Sequence, residues 1–252
     1  MHVFVTGATG WVGSAIVPEL LQNGHTVLGL ARFEESAKKL KDQGAEVLMG
    51  TLEDMEILKE GASRCDAGEV LKGTSKPFVV TSGSLARGDD KKILLQETDE
   101  AGPYFPRLAT EKATLALADA GVKAMILRLA PSVHGAGDQG FVYRLAEMAK
   151  EKGFSAYVDE GNNAWPAVHR KDAAVLYRLA IEKPAGRILH GFDDQAVPFR
   201  EMARAVGQKV GVEVRSVPAE EAEAHFQWLS FFDQFGWTPK EIGLLEDIRS
   251  NY

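Results

Sequence analysis

A chain of 252 residues, with 29 Lys and Arg against 36 Asp and Glu and a formal net charge of −7, is long enough for one large α/β domain with a cap. Its acidic balance, without a lysine or arginine cluster, argues against a nucleic-acid partner. No stretch approaches the ~20 apolar residues of a membrane helix, so small molecules are the expected ligands. Met1 leads within two residues into strand-like sequence, without room for a signal peptide, and Cys65 has no second cysteine to pair with. A cytoplasmic protein is expected.

The first apolar run, Val3–Val5, predicts a strand, and Trp11–Asn23 has apolar residues at helical spacing. Between them lies Thr6-Gly7-Ala8-Thr9-Gly10-Trp11-Val12-Gly13. In such a strand, turn and helix unit, Gly7 permits a tight turn, Gly10 lets a pyrophosphate approach the backbone, and Gly13 lets helix and strand pack closely. Free amides at the helix start then face two phosphates. This context points to a dinucleotide site.

Further strands are predicted at Thr26–Ala31, Glu46–Met49, Phe78–Val80 and Lys123–Leu129, with helices at Glu34–Gln43, Arg107–Ala120 and Phe141–Lys152. Gly24, Gly44 and Gly121 stand where helices should stop. Beyond Gly135 the texture changes to short strands (Ala156–Val158, Arg187–Gly191, Glu213–Val217) and helices near 171–182, 199–206 and 219–229. The expected fold is α/β: a doubly wound parallel sheet over 1–135, and a smaller, mixed substrate-side lobe over 136–252 that returns partly to that sheet. The loop from Ser82 to Pro106 is the longest irregular segment, the kind that carries function at strand ends.

One stretch does not fit this plan. Between Glu46–Met49 and Phe78–Val80 a doubly wound sheet needs another strand with its crossover, yet beyond Asp54–Gly61 only residues 62–77 remain. A parallel connection takes a dozen or more residues beyond the strand itself, and in the order 3-2-1-4-5-6 the strand in question lies beside the first. Residues are therefore expected to be missing near 66–69, with Glu69–Lys72 as the tail of the crossover helix. A second, weaker junction lies near Phe232–Gln234.

Several segments resemble the short-chain dehydrogenase/reductase superfamily in its extended and atypical branches, which include epimerases, dehydratases and dihydroflavonol reductase-like proteins. Beyond the glycine turn, Phe78–Ser84 resembles a fifth strand ending in Ser or Thr, and Leu127–Gly135 is similar to the "R-P-x-x-V-Y-G" run. Trp165–Asp172 is similar to "V-H-V-x-D", and Gly236–Pro239 to the C-terminal "G-W-x-P". The resemblance implies a nicotinamide dinucleotide held by Gly7, Thr9, Gly10, Trp11, Val12 and Gly13, with Ser82 and Pro131 nearby. Arg32 stands where an NAD-selecting member carries an acid, so NADP(H) is favoured over NAD(H) through a charge-assisted contact with the 2′-phosphate. Its other reading is a solvated strand-end arginine. Thr51-Leu52 stand where the resemblance places an adenine contact, although an Asp is usual there. The Thr51 hydroxyl reads equally as an adenine partner and as an ordinary strand-end group.

The superfamily's Tyr-x-x-x-Lys pair is absent: Tyr104 is followed four residues on by Leu108, and aligning on Glu111 puts Pro103 and Arg107 at the tyrosine and lysine positions. Arg107 cannot donate a proton at neutral pH but can place charge near a ribose or a substrate carbonyl. Ser84, after a one-residue shift that also brings in Tyr104, and His134, where the resemblance puts a group near nicotinamide, are the remaining candidate proton donors. No metal-ligand spacing is present among six histidines and one cysteine. The expected activity is an oxidoreductase of a small carbonyl or hydroxyl compound, with a sugar-nucleotide epimerase or dehydratase and a catalytically silent NADP(H) sensor as alternatives. A homodimer is also compatible with the resemblance.

Overall fold

The structure, a computed structural model, describes residues 1–66, 76–84, 97 and 106–226. In chain order the elements are β1 (His2–Val5), α1 (Gly13–Gln22), β2 (Thr26–Ala31), α2 (Glu34–Asp42), β3 (Glu46–Met49), α3 (Met55–Arg64), β4 (Pro77–Gly83), α4 (Leu108–Asp119), β5 (Lys123–Leu129) and β6 (Ser132–His134). They continue with α5 (Phe141–Lys152), β7 (Phe154–Val158), β8 (Ala164–His169), α6 (Arg170–Glu182), β9 (Ile188–Gly191), β10 (Asp194–Pro198), α7 (Phe199–Val210), β11 (Glu213–Val217) and α8 (Ala222–Phe226). Two compact units are present: one comprises 1–89, 96–138 and 168–193, the other 90–95, 139–167 and 194–252.

In the first unit two parallel three-stranded sheets form, β1-β2-β3 and β4-β5-β9. Alternation along the strands decides which helix covers which face. Val3, Val5, Val27 and Ala31 pack with α1 and α2 through Val17, Leu20, Ala37 and Leu40. Leu28, Leu30 and Leu48 turn the other way, against Ile57, Leu58 and Cys65. In the second sheet Leu127 and Leu129 face α6 through Ala173 and Tyr177, whereas Ala124 packs with Leu117 and Ala118 of α4. Helices on both faces of parallel strands make this a doubly wound α/β fold. Cys65 lies at the bottom of this packing, and burial pushes its thiol up to about 11, as for an inert structural cysteine.

Two polar networks tie the helices down. Arg128 on β5 is fully buried and donates through Nε and Nη2 to the two carboxylate oxygens of Glu111 on α4, at 3.0 and 2.7 Å. Arg178 on α6 bridges Glu19 of α1 at 2.7 Å and Glu182 at 2.8 Å, and Glu182 in turn meets His25 at 2.9 Å.

In the second unit β11 pairs in parallel with β7, and β10 runs antiparallel to β8. The core gathers Phe141, Trp165, Phe199 and Phe226, with the Phe141 and Trp165 rings stacked at 4.6 Å. Phe141, Phe154 and Trp165 all belong to this cluster.

The sequence-based boundaries shift where turn geometry or strand pairing prevails. The first helix begins at Gly13 rather than Trp11, because residues 6–12 form the turn itself. The strand expected at Phe78–Val80 extends through Gly83, since Thr81, Ser82 and Gly83 pair in register with Leu127, Arg128 and Leu129. Ser82 thus belongs to a strand and not to the following loop. The short strands β6, β8 and β10 were not anticipated.

Glu111→Gln leaves the Arg128 guanidinium facing a neutral amide in a dry interior, and should destabilise the protein by about 3–5 kcal/mol. Chemical denaturation monitored by circular dichroism measures this, with the exposed pair Lys150–Glu147 as the near-neutral control.

Candidate functional site

At the end of β1 the chain turns through Gly7, whose φ of +65° lies in the left-handed region. Within the turn Gly10 N–H donates to Gly7 O at 2.9 Å, Ser14 N–H to Gly10 O at 2.8 Å, and Ala15 and Ile16 N–H to Val12 O. The amides of Trp11, Val12 and Gly13 have no partner among the described residues. They stand at the positive end of α1, where an anion is favoured. A Cβ on Gly13 would lie 2.1 Å from Gly7 O and 2.9 Å from Ala8 Cα, so helix and turn meet backbone against backbone. A Cβ on Gly10 would lie 3.1 Å from the same oxygen. Thr9 is exposed beside it.

The segment after β5 comes to this turn. The Trp11 indole N–H donates to Val133 O at 2.7 Å, which fixes the Pro131–His134 strip against the glycine turn. His134 meets His169 edge to face at 5.4 Å, and His169 caps α6 by accepting the Lys171 amide at 3.3 Å. Arg170 lays its guanidinium over the Trp11 ring, 4.2 Å from its centroid. Arg170 was missed in the sequence. The available signal was its departure from the "V-H-V-x-D" pattern, in which it replaces an apolar residue.

At the end of β4 the Ser82 side chain is buried, and neither the Ser82 nor the Ser84 hydroxyl has a hydrogen-bond partner among the described residues. Ser84 is held by its own amide, which donates to Leu129 O at 2.9 Å. An unsatisfied buried hydroxyl costs about 1–3 kcal/mol, so two at one strand end make a place where a ligand's polar groups would be welcome. Thr81 uses its hydroxyl differently, in a 2.6 Å bond with Tyr177 OH. Burial pushes the Tyr177 phenol up to about 12, against the smaller opposing effects of Thr81 and of the Arg107 charge. Tyr177 therefore stays protonated and structural, while Arg107, exposed at the start of α4, projects positive charge toward the same strand end. Tyr104 lies outside the described residues, as do Glu69–Lys72, Phe232–Gln234 and Gly236–Pro239.

Past β2 and β3 a third set of groups collects. Arg32 is exposed, lies over the Phe33 ring at 4.6 Å, and pairs with no carboxylate among the described residues. Thr51 accepts the Glu53 amide at 3.3 Å and donates to its carboxyl, which it holds below the usual range with a weaker contribution from Arg32. The Thr51 hydroxyl is thus already engaged. Leu52 and Phe33 are 61% and 58% exposed, apolar surface suited to a planar ring.

Comparison with known proteins agrees with this geometry. Residues 7–165 match the family model described as NAD(P)H-binding. An uncharacterised protein of Saccharomyces cerevisiae is 41% identical over 295 aligned positions, covering 100% of this chain and 99% of its own length. A decarboxylating sterol-4-alpha-carboxylate 3-dehydrogenase of Dictyostelium discoideum is 28% identical, covering 84% of this chain and 77% of its own. Among solved structures, the fold is similar to dTDP-glucose 4,6-dehydratase of Bacillus anthracis in complex with NAD, with a TM-score of 0.69, 16% identity, and 96% and 92% of the two chains covered. The chain belongs to the NAD(P)H-binding family. No helix among the described residues is long and apolar enough to cross a membrane.

Gly13→Ala should cost about 1–3 kcal/mol or more, because its methyl meets backbone that cannot rotate away, whereas Gly10→Ala, with its 3.1 Å approach, should cost less. Thermal unfolding of the two variants measures the difference.

Proposed function

We propose that the protein is a cytoplasmic NADP(H)-dependent oxidoreductase that acts on a small carbonyl or hydroxyl compound. The observation that carries this reading is the set of unpartnered amides at Trp11, Val12 and Gly13, in a chain whose family binds NAD(P)H. The residues present fit the group. Those amides would hold a diphosphate, Leu52 and Phe33 would cover the adenine, and the orphan hydroxyls of Ser82 and Ser84 would meet polar groups at the nicotinamide end. Bound there, the dinucleotide supplies or removes hydride.

The chain's own task is then placement and protonation. Pro131 and His134 are held at the turn through the Trp11–Val133 bond, so His134 is positioned to exchange a proton with a substrate oxygen near neutral pH. Ser84 would orient that oxygen, Tyr104 remains a candidate donor, and Arg107 would stabilise negative charge developing on it. The dehydrogenase name of the Dictyostelium relative favours hydride transfer to or from substrate. An epimerase or dehydratase depends more heavily on the tyrosine base that the motif lacks. The same lack motivates the second reading, an NADP(H) binder without turnover.

Arg32 would select NADP(H), since an exposed guanidinium without a carboxylate partner is free to take the 2′-phosphate. Titration of the protein should give tighter binding of NADPH than of NADH, and Arg32→Asp should move that ratio at least tenfold toward NADH, about 1.4 kcal/mol. Tighter NADH binding by the unaltered protein overturns the preference. Following NADPH absorbance with a panel of aldehydes, ketones and keto-sugars separates the two readings: turnover removes the silent binder, and binding without turnover supports it.

A further inference from the structure

We infer that the 252-residue chain is a shortened form of a longer protein, and that the residues it lacks form a strand between β1 and β4 with a crossover leading back to β4. The chain leaves α3 at Cys65 and arrives at the edge of β1 that faces away from β2. There the Asp66 amide donates to His2 O at 2.7 Å, and the Asp66 carboxylate accepts the His2 amide, also at 2.7 Å. Asp66 is thus placed as the first residue of a neighbour to β1. Because strand residues alternate in direction, Phe4, two residues beyond His2, turns its N–H and C=O to that same edge.

Only residues 67–75 separate Asp66 from Lys76, which leads directly into β4. Nine residues cannot both run along β1 and return to the start of a parallel β4, a course that takes a dozen or more beyond the strand itself. The remaining packing is ready for that strand. Both β1 and β4 lie in the first unit, and Val79 of β4 packs against the cluster that holds Val3 and Val5. α6 serves both sheets, with Ile181 in that cluster and Tyr177 bonded to Thr81. The amount missing comes from an independent comparison: the Saccharomyces relative aligns over 295 positions although all of this chain spans 252, so roughly forty positions have no counterpart here.

Intact-mass measurement and peptide mapping of the protein isolated from its natural source test this. The expected result is a mass above 27.4 kDa by roughly forty residues, with additional peptides between Asp66 and Lys76. A mass of 27.4 kDa with a peptide that crosses residues 66–76 as written overturns it. Binding of NADPH is a separate readout: failure of the longer form to bind removes the proposed function but leaves the mass result standing.

A second, independent observation concerns Arg170, and it rests on the reading of the glycine turn as a diphosphate site. The geometry points to Arg170 as an additional receptor for that diphosphate. It is the first residue of α6, where a cation opposes the helix dipole, so helix stability does not account for it. Its stem lies beside Gly135, where a Cβ would come within 3.3 Å of Arg170 Cγ, and its head is held flat on Trp11. No carboxylate pairs with it among the described residues. The guanidinium is thereby held on the ring of Trp11, a residue of the turn whose amides are open, with its five donors uncommitted to an acid among the described residues.

Calorimetric titration with NADPH, NADH, ADP and adenosine, in the form that binds NADPH, tests the assignment. Arg170→Gln should weaken the first three by a similar factor of ten or more and leave adenosine unchanged, with Arg170→Lys intermediate. Affinities for ADP and NADPH within twofold of the unaltered protein overturn the assignment while the glycine-turn reading stands. Loss confined to NADPH also overturns it, because the contact is then to the 2′-phosphate.

Discussion

The approach of Gly13 to Gly7 is the constraint on which the first unit depends. A Cβ on Gly13 would lie 2.1 Å from the turn's Gly7 carbonyl oxygen, so the helix starts with its opening amides close to the end of β1. Everything that follows uses that closeness. Trp11 can reach Val133 only because the turn is this tight, and the bond carries the strip after β5 to the same place. α6 then packs along α1, fixed by Ile181 and by the Glu19–Arg178–Glu182 bridge. One backbone contact thus gathers the ends of β1 and β5 and the start of α6 into a single constellation.

The arginines divide by what they pair with. Arg128 and Arg178 pair with carboxylates and join elements. Arg32, Arg107 and Arg170 have no carboxylate among the described residues, and each follows or opens an element at the site: Arg32 after β2, Arg107 before α4, Arg170 at the start of α6. Permanent charge left unneutralised opposes folding slightly through self-repulsion. In a chain of net charge −7, three guanidinium groups without a salt bridge among the described residues would suit a polyanionic ligand.

The glycine turn was legible in the sequence because its chemistry is local: three glycines between a strand and an amphipathic helix require one backbone path. The strands of the doubly wound unit were legible for a similar reason, since apolar alternation in Val3–Val5 and Thr26–Ala31 dictates two buried faces. Orientation of side chains across elements was not. Nothing in residues 51–53 signals that Thr51 spends its hydroxyl on Glu53, and nothing around residue 177 signals that its phenol is bound to Thr81, ninety-six residues away. The short strands β6, β8 and β10 escaped because three to six residues carry too little periodicity. Arg170 was read as part of a motif, and its stacking on Trp11 depends on a meeting of segments that only the fold brings about.

The altered motif sets a limit on the chemistry. A tyrosine whose pKa is lowered by a neighbouring lysine supplies and recovers a proton near neutral pH. Tyr177 cannot take over this task, because burial raises its phenol to about 12 and its oxygen already serves Thr81. Arg107 remains charged throughout. That leaves His134, an imidazole half-buried against His169, as a candidate proton donor at the turn among the described residues. In the proposed function, hydride transfer itself asks chiefly for placement of two carbons, to which the glycine turn and the Trp11–Val133 bond would contribute. The proton can then come from a weaker donor at some loss of rate. On the proposed function, a site built this way would favour carbonyl reduction, where protonation follows charge that Arg107 and the Ser84 hydroxyl would stabilise. It would disfavour reactions that must first remove a proton from an unactivated hydroxyl, since no strong base for that step stands at the turn among the described residues.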